Sequence, residues 1–258
     1  MPEGDTIHHI AARLRPLLVG RVPEELVTPQ PRHGRDRWAE RLAGCALRAV
    51  DAHGKHLLLR FDGGLTLHSH LRMTGAWHVY RAGERWRRSP RRAWLVMRVD
   101  GHEVVQFDGP VLELMTDARA RFDQRLAGLG PDVLGERFDF ARFLGRLRED
   151  DPTRPIGDAL LDQRTLAGIG NLWKAEACFA AGVDPWRPVA RVNDAEAVAV
   201  VRQARTLMAE SARDGFVARP REVYDRAGQS CRRCGGRIQV RGQWEDNRLT
   251  YWCPTCQR

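Results

Sequence analysis

Two Cys-x-x-Cys pairs near the end of the chain, Cys231/Cys234 and Cys253/Cys256, constrain its folding more than any other feature. Eighteen residues separate them. A Cys-x-x-Cys turn points two thiolates at one ion, and two such turns complete a tetrahedral Zn²⁺ shell. The pattern predicts one structural zinc with no coordination position left over for chemistry. A redox dithiol would need one pair only. Between the pairs, "RIQVR" and "LTYWC" read as the strands of a β-hairpin. Cys45 and Cys178 have no such company and read as core thiols.

The chain of 258 residues has room for one large core, or two modest ones plus this module. A mean hydropathy of -0.48 and 43% hydrophobic content predict a globular chain. No apolar run approaches the ~20 residues that cross a bilayer, so no membrane partner is expected. The start lacks a charged-then-apolar secretory pattern, which makes the cytoplasm the expected compartment, with nucleoid association if DNA is bound. In that compartment cysteines are metal ligands or free thiols before they are disulfides. Nothing implies an oligomer, and a monomer is expected.

The net charge is +9, and of the 42 basic residues only Lys55 and Lys174 are lysine. Arginine grips phosphate with a planar fork, whereas lysine is a compact ammonium that loses its proton more readily. The surplus points to a polyanion, most simply nucleic acid; charge alone equally allows a solvated basic surface.

Residues 1–135 read as a helix followed by β-structure. In "DTIHHIAARLRPLL" the residues Ile7, Ile10, Ala11, Leu14 and Leu18 fall at helical spacing, with Asp5 or Thr6 as N-cap. Short apolar runs punctuated by "HGK", "DGG" and "VDGH" then predict hairpins in an antiparallel β-sandwich or barrel. Residues 136–225 switch to helical period, with two helical runs separated by "AGIG" and a third over "NDAEAVAVVRQARTLMAESARDG". Residues 226–258 form the four-cysteine finger. The fold class is therefore multidomain α and β.

Four features stand in order: "MPEG", "GKHLLLRF", "LLDQRTLAGIGNLWKAE", and a terminal finger containing "R-x-x-Y-W-C-P-x-C-Q". Together they resemble the formamidopyrimidine-DNA glycosylase and endonuclease VIII family of base-excision repair enzymes, over essentially the whole chain. The endonuclease VIII branch, in its actinobacterial form, is the nearer likeness. The resemblance implies an N-terminal β-sandwich, a helical domain with a helix–two-turns–helix motif and a zinc hairpin. It also implies damaged DNA as partner, double-stranded with single-stranded as the alternative, lying in a basic cleft between domains. With Met1 removed, Pro2 would present a secondary amine. An α-amino group titrates near ~8, so a neutral nucleophilic fraction exists at physiological pH.

By this likeness Pro2 attacks the sugar and Glu3 shuttles protons. Lys55 contacts phosphate and assists β-elimination, and Arg248 serves δ-elimination. Gly168, Gly170 and Asn171 bind a phosphate, the glycines through close backbone approach and outward-facing amides. Met73 fills the void left by the flipped nucleotide, with Arg72 and Thr74 beside it. Lys174 reads as a helix-face charge or an auxiliary phosphate contact, and His68 and His70 as braces on their strand.

The chain also departs from the family pattern. Thr6 stands where a second glutamate is frequent, and "FDGPVLELM" lacks the arginine and phenylalanine of the purine-specific "D-x-R-x-F-G" loop. The segment "SARDGFVARPREVYDRAGQSC" is short for a loop that caps oxidised purines. These departures favour oxidised pyrimidines over 8-oxoguanine. Two alternatives stay open: a lyase of abasic sites with little glycosylase activity, and a non-catalytic zinc-containing binder of damaged DNA.

Overall fold

The computed structural model describes residues 2–34, 36–215, 220–243 and 247–258. Met1, whose removal is expected to free Pro2, and residues 216–219, part of the segment expected to be short for a purine-capping loop, lie outside them. The chain packs as two compact units. One comprises Pro2 and Ile7–Ala127, the other Glu3–Thr6 and Gly128–Arg258. The helix Gly4–Leu18 contributes its first turn to the second unit and the rest to the first.

In the first unit, period-2 alternation produces two four-stranded antiparallel sheets. One has the order β1 (Glu25–Val27), β6 (Ala93–Val99), β7 (His102–Phe107), β5 (Ala76–Arg81). The other runs β2 (Leu47–His53), β3 (His56–Phe61), β4 (Leu65–His70), β8 (Val111–Thr116). Both sheets and the helix share one core. Ile7, Ala11, Leu14 and Leu18 pack with Leu57, Leu59 and Leu67 from one sheet and Leu95, Met97 and Val104 from the other. Ile10 is only partly buried. Burial of each large aliphatic chain contributes about 1.5–3 kcal/mol, and the shared core makes the pair of sheets a sandwich.

The second unit is helical around Val133, Phe143, Ile156, Ile169, Trp173, Val200 and Met208. Helix Asp194–Asp214 starts at a capping box, in which Asn193 and Glu196 each accept the other's backbone N–H, and stops at left-handed Gly215. Helix Phe140–Glu149 starts on Asp139, whose carboxylate accepts the Arg142 amide. The first of the two runs around "AGIG" is shorter than its period suggests: the helix spans Ile156–Ala159 only. Beyond it Asp162 accepts the Arg164 amide at 2.9 Å, and the backbone turns instead of continuing. Helix Asn171–Ala181 follows and ends at left-handed Gly182. The finger hairpin is β9 (Gln239–Gln243) paired with β10 (Arg248–Trp252). It packs with helix Asn171–Ala181 through Ala175, Phe179, Val223, Ile238 and Cys253.

No described helix is long and apolar enough to cross a membrane.

Candidate active site and metal centre

The N-cap of the first helix is Glu3, not Asp5 or Thr6, because the helix begins at Gly4. Thr6 Oγ1 accepts the Glu3 backbone N–H at 3.3 Å, the role a glutamate plays at that position of a capping box. Asp5 is spent elsewhere: its buried carboxylate accepts the Ser211 hydroxyl at 2.7 Å.

The Glu3 side chain, 3% exposed, reaches across 167 residues to the start of helix Asn171–Ala181. Its carboxylate accepts the backbone N–H groups of Gly170 at 2.9 Å, Leu172 at 3.0 Å and Trp173 at 3.4 Å. A helix N-terminus offers orphan amides and the positive end of a dipole, a ready anion site. The family likeness implies a phosphate at such amides; three of them are taken by the protein's own carboxylate. Each carboxylate oxygen has more than one acceptor direction, which leaves Glu3 able to exchange a proton with a further group.

Glycines make this seat possible. A Cβ on Gly170 would lie 2.2 Å from Glu3 Cδ, and one on Gly4 2.9 Å from Gly168 Cα. Gly4 N–H donates to the Gly168 carbonyl at 2.8 Å, and Gly168 itself has φ of 101°. Gln163, which no sequence motif singles out, braces the turn from both ends of its amide. Its Nε2 donates to Leu161 and Ile169 carbonyls, and its Oε1 accepts the Gly168 N–H at 3.0 Å. A glutamine in a loop carries no local signal for this role.

The same helix grips the finger. Asn171 Nδ2 donates to the Leu249 carbonyl at 2.8 Å, and its buried Oδ1 meets no partner among the described residues. Lys174 is neither a face charge nor accessible to phosphate. It is wholly buried, donating to Thr250 Oγ1 at 2.6 Å and Gln243 Oε1 at 3.3 Å. Burial draws its ammonium down to about 8. Glu176, one turn before the helix ends, accepts the amides of Glu222, Val223 and Tyr224 and ties down the segment leading to the finger. Arg248 is exposed at the start of β10. Cys178 lies fully in the core, where burial pushes its thiol up to about 12, and Cys45 packs partly buried against the sandwich core.

The four finger thiols converge, all Sγ atoms lying within 4.8 Å of one another. Cys231 and Cys256 are 3.9 Å apart and Cys234 and Cys253 3.5 Å. A tetrahedron of sulfurs at ~2.3 Å from a central ion has edges of about 3.8 Å, so the donor set fits a metal ion. Each pair sits on a tight turn: Gly235 N–H donates to the Cys231 carbonyl, and Cys256 N–H to that of Cys253.

In the first unit Gly54 and Lys55 form the two-residue turn between β2 and β3, with His53 paired to His56. Gly54, at φ of 57°, supplies the left-handed position that such a hairpin needs. Lys55 is partly exposed at its tip. Beside it lies a histidine cluster. His56 Nδ1 and His68 Nε2 are 2.8 Å apart, and His70 Nδ1 accepts the Arg72 N–H at 3.1 Å. Burial lowers all three, His56 to about 2 and His68 and His70 to about 4, so they brace the sheet as neutral rings.

The loop after β4 presents Met73 with 66% of its surface exposed, which rules out a core role. Arg72 has φ of 44°, an uncommon backbone for a side chain of its size, and Thr74 Oγ1 donates to the Asp108 carbonyl at 3.2 Å. Asp108 also accepts Arg88 at 3.0 Å and Arg92 at 2.9 Å. The "FDGP" stretch is thus a short braced connection between β7 and β8.

Comparison with known proteins agrees with this architecture. The formamidopyrimidine-DNA glycosylase N-terminal domain matches residues 1–119, and that family's H2TH domain matches residues 129–219. The chain is 42% identical to a probable endonuclease 8 2 of Streptomyces coelicolor, covering 100% of this chain and 94% of the relative. It is 36% identical to the DNA-(apurinic or apyrimidinic site) lyase Nei2 of Mycolicibacterium smegmatis, covering 100% and 99%. Its fold matches a crystal structure of Lactococcus lactis Fpg in complex with DNA containing N7-benzyl-Fapy-dG, with a TM-score of 0.84, 23% identity and 100% of each chain covered. Fold and site define a protein of the helix–two-turns–helix class with a four-cysteine finger. The chain belongs to the formamidopyrimidine-DNA glycosylase and endonuclease VIII family.

Proposed function

We propose that the protein is a bifunctional DNA glycosylase and abasic-site lyase that removes oxidised pyrimidines. One observation carries the reading: Glu3, the neighbour of Pro2, is seated by three backbone amides at a helix start, in a chain of this family. Once Met1 is removed, the Pro2 nitrogen attacks the sugar C1′, the C1′–N bond to the base breaks, and the base leaves with a proton. The sugar ring opens and a cationic iminium forms directly, because the amine is secondary. The iminium draws electrons from the C2′–H bond. Loss of that proton breaks C3′–O and expels the 3′ phosphate. Loss of the C4′ proton then expels the 5′ phosphate, and water hydrolyses the iminium to regenerate Pro2.

Glu3 carries protons to and from the opening sugar. Lys55 sets a point charge beside the departing phosphate, and Arg248 serves the δ-step. Gly168, Gly170 and Asn171 contact the backbone of the lesion strand. Met73 enters the stack, with Arg72 and Thr74 at the orphaned base. Cys231, Cys234, Cys253 and Cys256 hold one Zn²⁺ as a closed structural site, which keeps the hairpin of Arg248 rigid. The substrate preference is supported by the braced "FDGP" connection, where a Cβ on Gly109 would lie 1.9 Å from Gln106 Nε2. That leaves no room for an intruding side chain at that position. Thr6 in place of a glutamate supports a second reading, a lyase with weak base excision.

The test is a duplex panel bearing thymine glycol, 5-hydroxyuracil, 8-oxoguanine or an abasic site, run with borohydride trapping and mass spectrometry of the chain start. Trapping on abasic DNA, with pyrimidine lesions excised, is expected. Preferential excision of 8-oxoguanine opposite cytosine overturns the substrate class. Cleavage of the abasic site alone selects the second reading. Absence of trapping, or full activity with Met1 retained, overturns the nucleophile.

A further inference from the structure

We propose that Lys174, with Thr250 and Gln243, is a positioning residue for Arg248, a buried polar clamp that fixes the paired ends of β9 and β10 on the helix that seats Glu3. The proposal rests on the reading in which Arg248 serves δ-elimination.

A two-stranded hairpin is marginal by itself and needs an external anchor. Along β9 and β10 only two residues are buried, Gln243 at 1% and Thr250 at 0% exposure. Gln243 is the cross-strand partner of Arg248, and Thr250 lies two residues beyond it on the same face of the strand. Lys174 Nζ donates to both. The Thr250 hydroxyl lies 2.8 Å from Gln243 Oε1, and Gln243 Nε2 donates to the Pro185 carbonyl at 2.8 Å. Gly157 makes room for the glutamine, since a Cβ there would lie 2.9 Å from its Oε1. Asn171, one turn before Lys174 on the helix, holds the carbonyl of the intervening Leu249.

The choice of a buried lysine is costly, because the two groups it donates to, the Thr250 hydroxyl and the Gln243 amide oxygen, are neutral. A methionine of similar length would fill the same volume without that cost. What methionine lacks is directional donors. A one-residue slip of β10 would turn Thr250 to solvent and carry Arg248 to the opposite face. The clamp therefore fixes which way Arg248 faces, a job for hydrogen bonds and not for area.

The test compares β- and δ-elimination products from an abasic duplex, with zinc content and borohydride trapping measured on the same full-length proteins. T250V removes the hydroxyl and keeps the shape; T250S restores it. R248A serves as reference. The ratio of δ- to β-product is expected to fall at least tenfold in R248A, T250V and K174M. It should return to within threefold of wild type in T250S, while T250V keeps its zinc and its trapping yield within threefold. If T250V and K174M hold the wild-type ratio while R248A loses it, the clamp is refuted and the role of Arg248 stands. If T250V loses zinc and trapping in step with the ratio, the residue is merely structural and the proposal fails. If R248A itself retains the ratio, the underlying reading of Arg248 fails, and the clamp with it.

Discussion

Substituting Gly170 by alanine isolates the seat of Glu3. The backbone tolerates the change, since Gly170 has φ of −127°, an ordinary extended value. Alanine there even gains roughly 0.4–1 kcal/mol by restricting the unfolded chain. The obstacle is the Glu3 side chain, with Cδ at 2.2 Å and Oε1 at 2.4 Å from the new methyl. Ordinary contact begins at 3.4 Å, so Cδ must retreat by 3.4 − 2.2 = 1.2 Å or more. Hydrogen bonds now 2.9 to 3.4 Å long do not survive that displacement. Bonds to a charged group contribute about 1.5–3 kcal/mol each, and a retreating carboxylate recovers part of this from water. A net loss of about 2–4 kcal/mol is expected.

The effect on rate should be larger than the effect on folding. Misplacing a reacting group by ~1 Å costs on the order of 100-fold. Single-turnover cleavage of an abasic duplex measures it, with denaturation and metal content recorded in parallel. G182A is the control. Gly182 has φ of 73° and lies at the other end of the same helix, so alanine there strains the backbone by about 1–2 kcal/mol without touching Glu3. The expected pattern is G170A slow and metal-loaded, and G182A destabilised but cutting near the wild-type rate. A G170A protein that cuts within threefold of wild type would refute the role assigned to the seat.

Chelation, or C234S, is expected to abolish metal binding and cleavage together; metal analysis beside a nicking assay checks this, and full nicking by metal-free protein contradicts it. The buried histidines predict acid sensitivity. Their folded values lie below the ordinary 6.5, so below that pH the unfolded chain takes up protons that the folded one refuses. Stability is complete above about 6.5 and falls toward about 4 for His68 and His70 and toward about 2 for His56, by at most ~1.4 kcal/mol per pH unit for each histidine. Urea titrations at pH 7.5 and pH 5 should differ by at least about 2 kcal/mol in the wild type and by less in H68Q. M73A should leave stability within about 0.5 kcal/mol, because the side chain is exposed, yet slow base excision from duplex at least tenfold; equal excision rates would remove Met73 from the wedge.

Period and spacing make the cores and the convergence of the four thiols legible. Ile7, Ala11, Leu14 and Leu18 are buried because a 3.6-residue period has one apolar face, and the paired thiols converge because their turns are local. What stayed hidden was long-range. The first helix begins at Gly4, which makes Glu3 its N-cap, and the carboxylate of Asp5 is held instead by Ser211, 206 residues away. Lys174 looked like a surface charge because nothing near it in sequence foretells Thr250 and Gln243. The glycines of "AGIG" suggest room for a phosphate, yet Gly170 also makes room for a carboxylate from the other end of the chain.

Apart from the Asp5–Ser211 bond, these hidden contacts share one element. Helix Asn171–Ala181 seats Glu3 on its first amides, grips β10 through Asn171 and Lys174, and packs with finger residues through Ala175 and Phe179. Backbone amides cannot change rotamer, so the carboxylate is placed by the fold itself and not by a mobile side chain. The arginine proposed for the last elimination depends on the same turn of helix, through a clamp of hydrogen bonds. Lys55 and Met73 stand on loops of a unit with its own core. Loss of the metal should therefore disorder the strand of Arg248 first and leave the turn at Lys55 intact, a separation that hydrogen exchange resolves residue by residue.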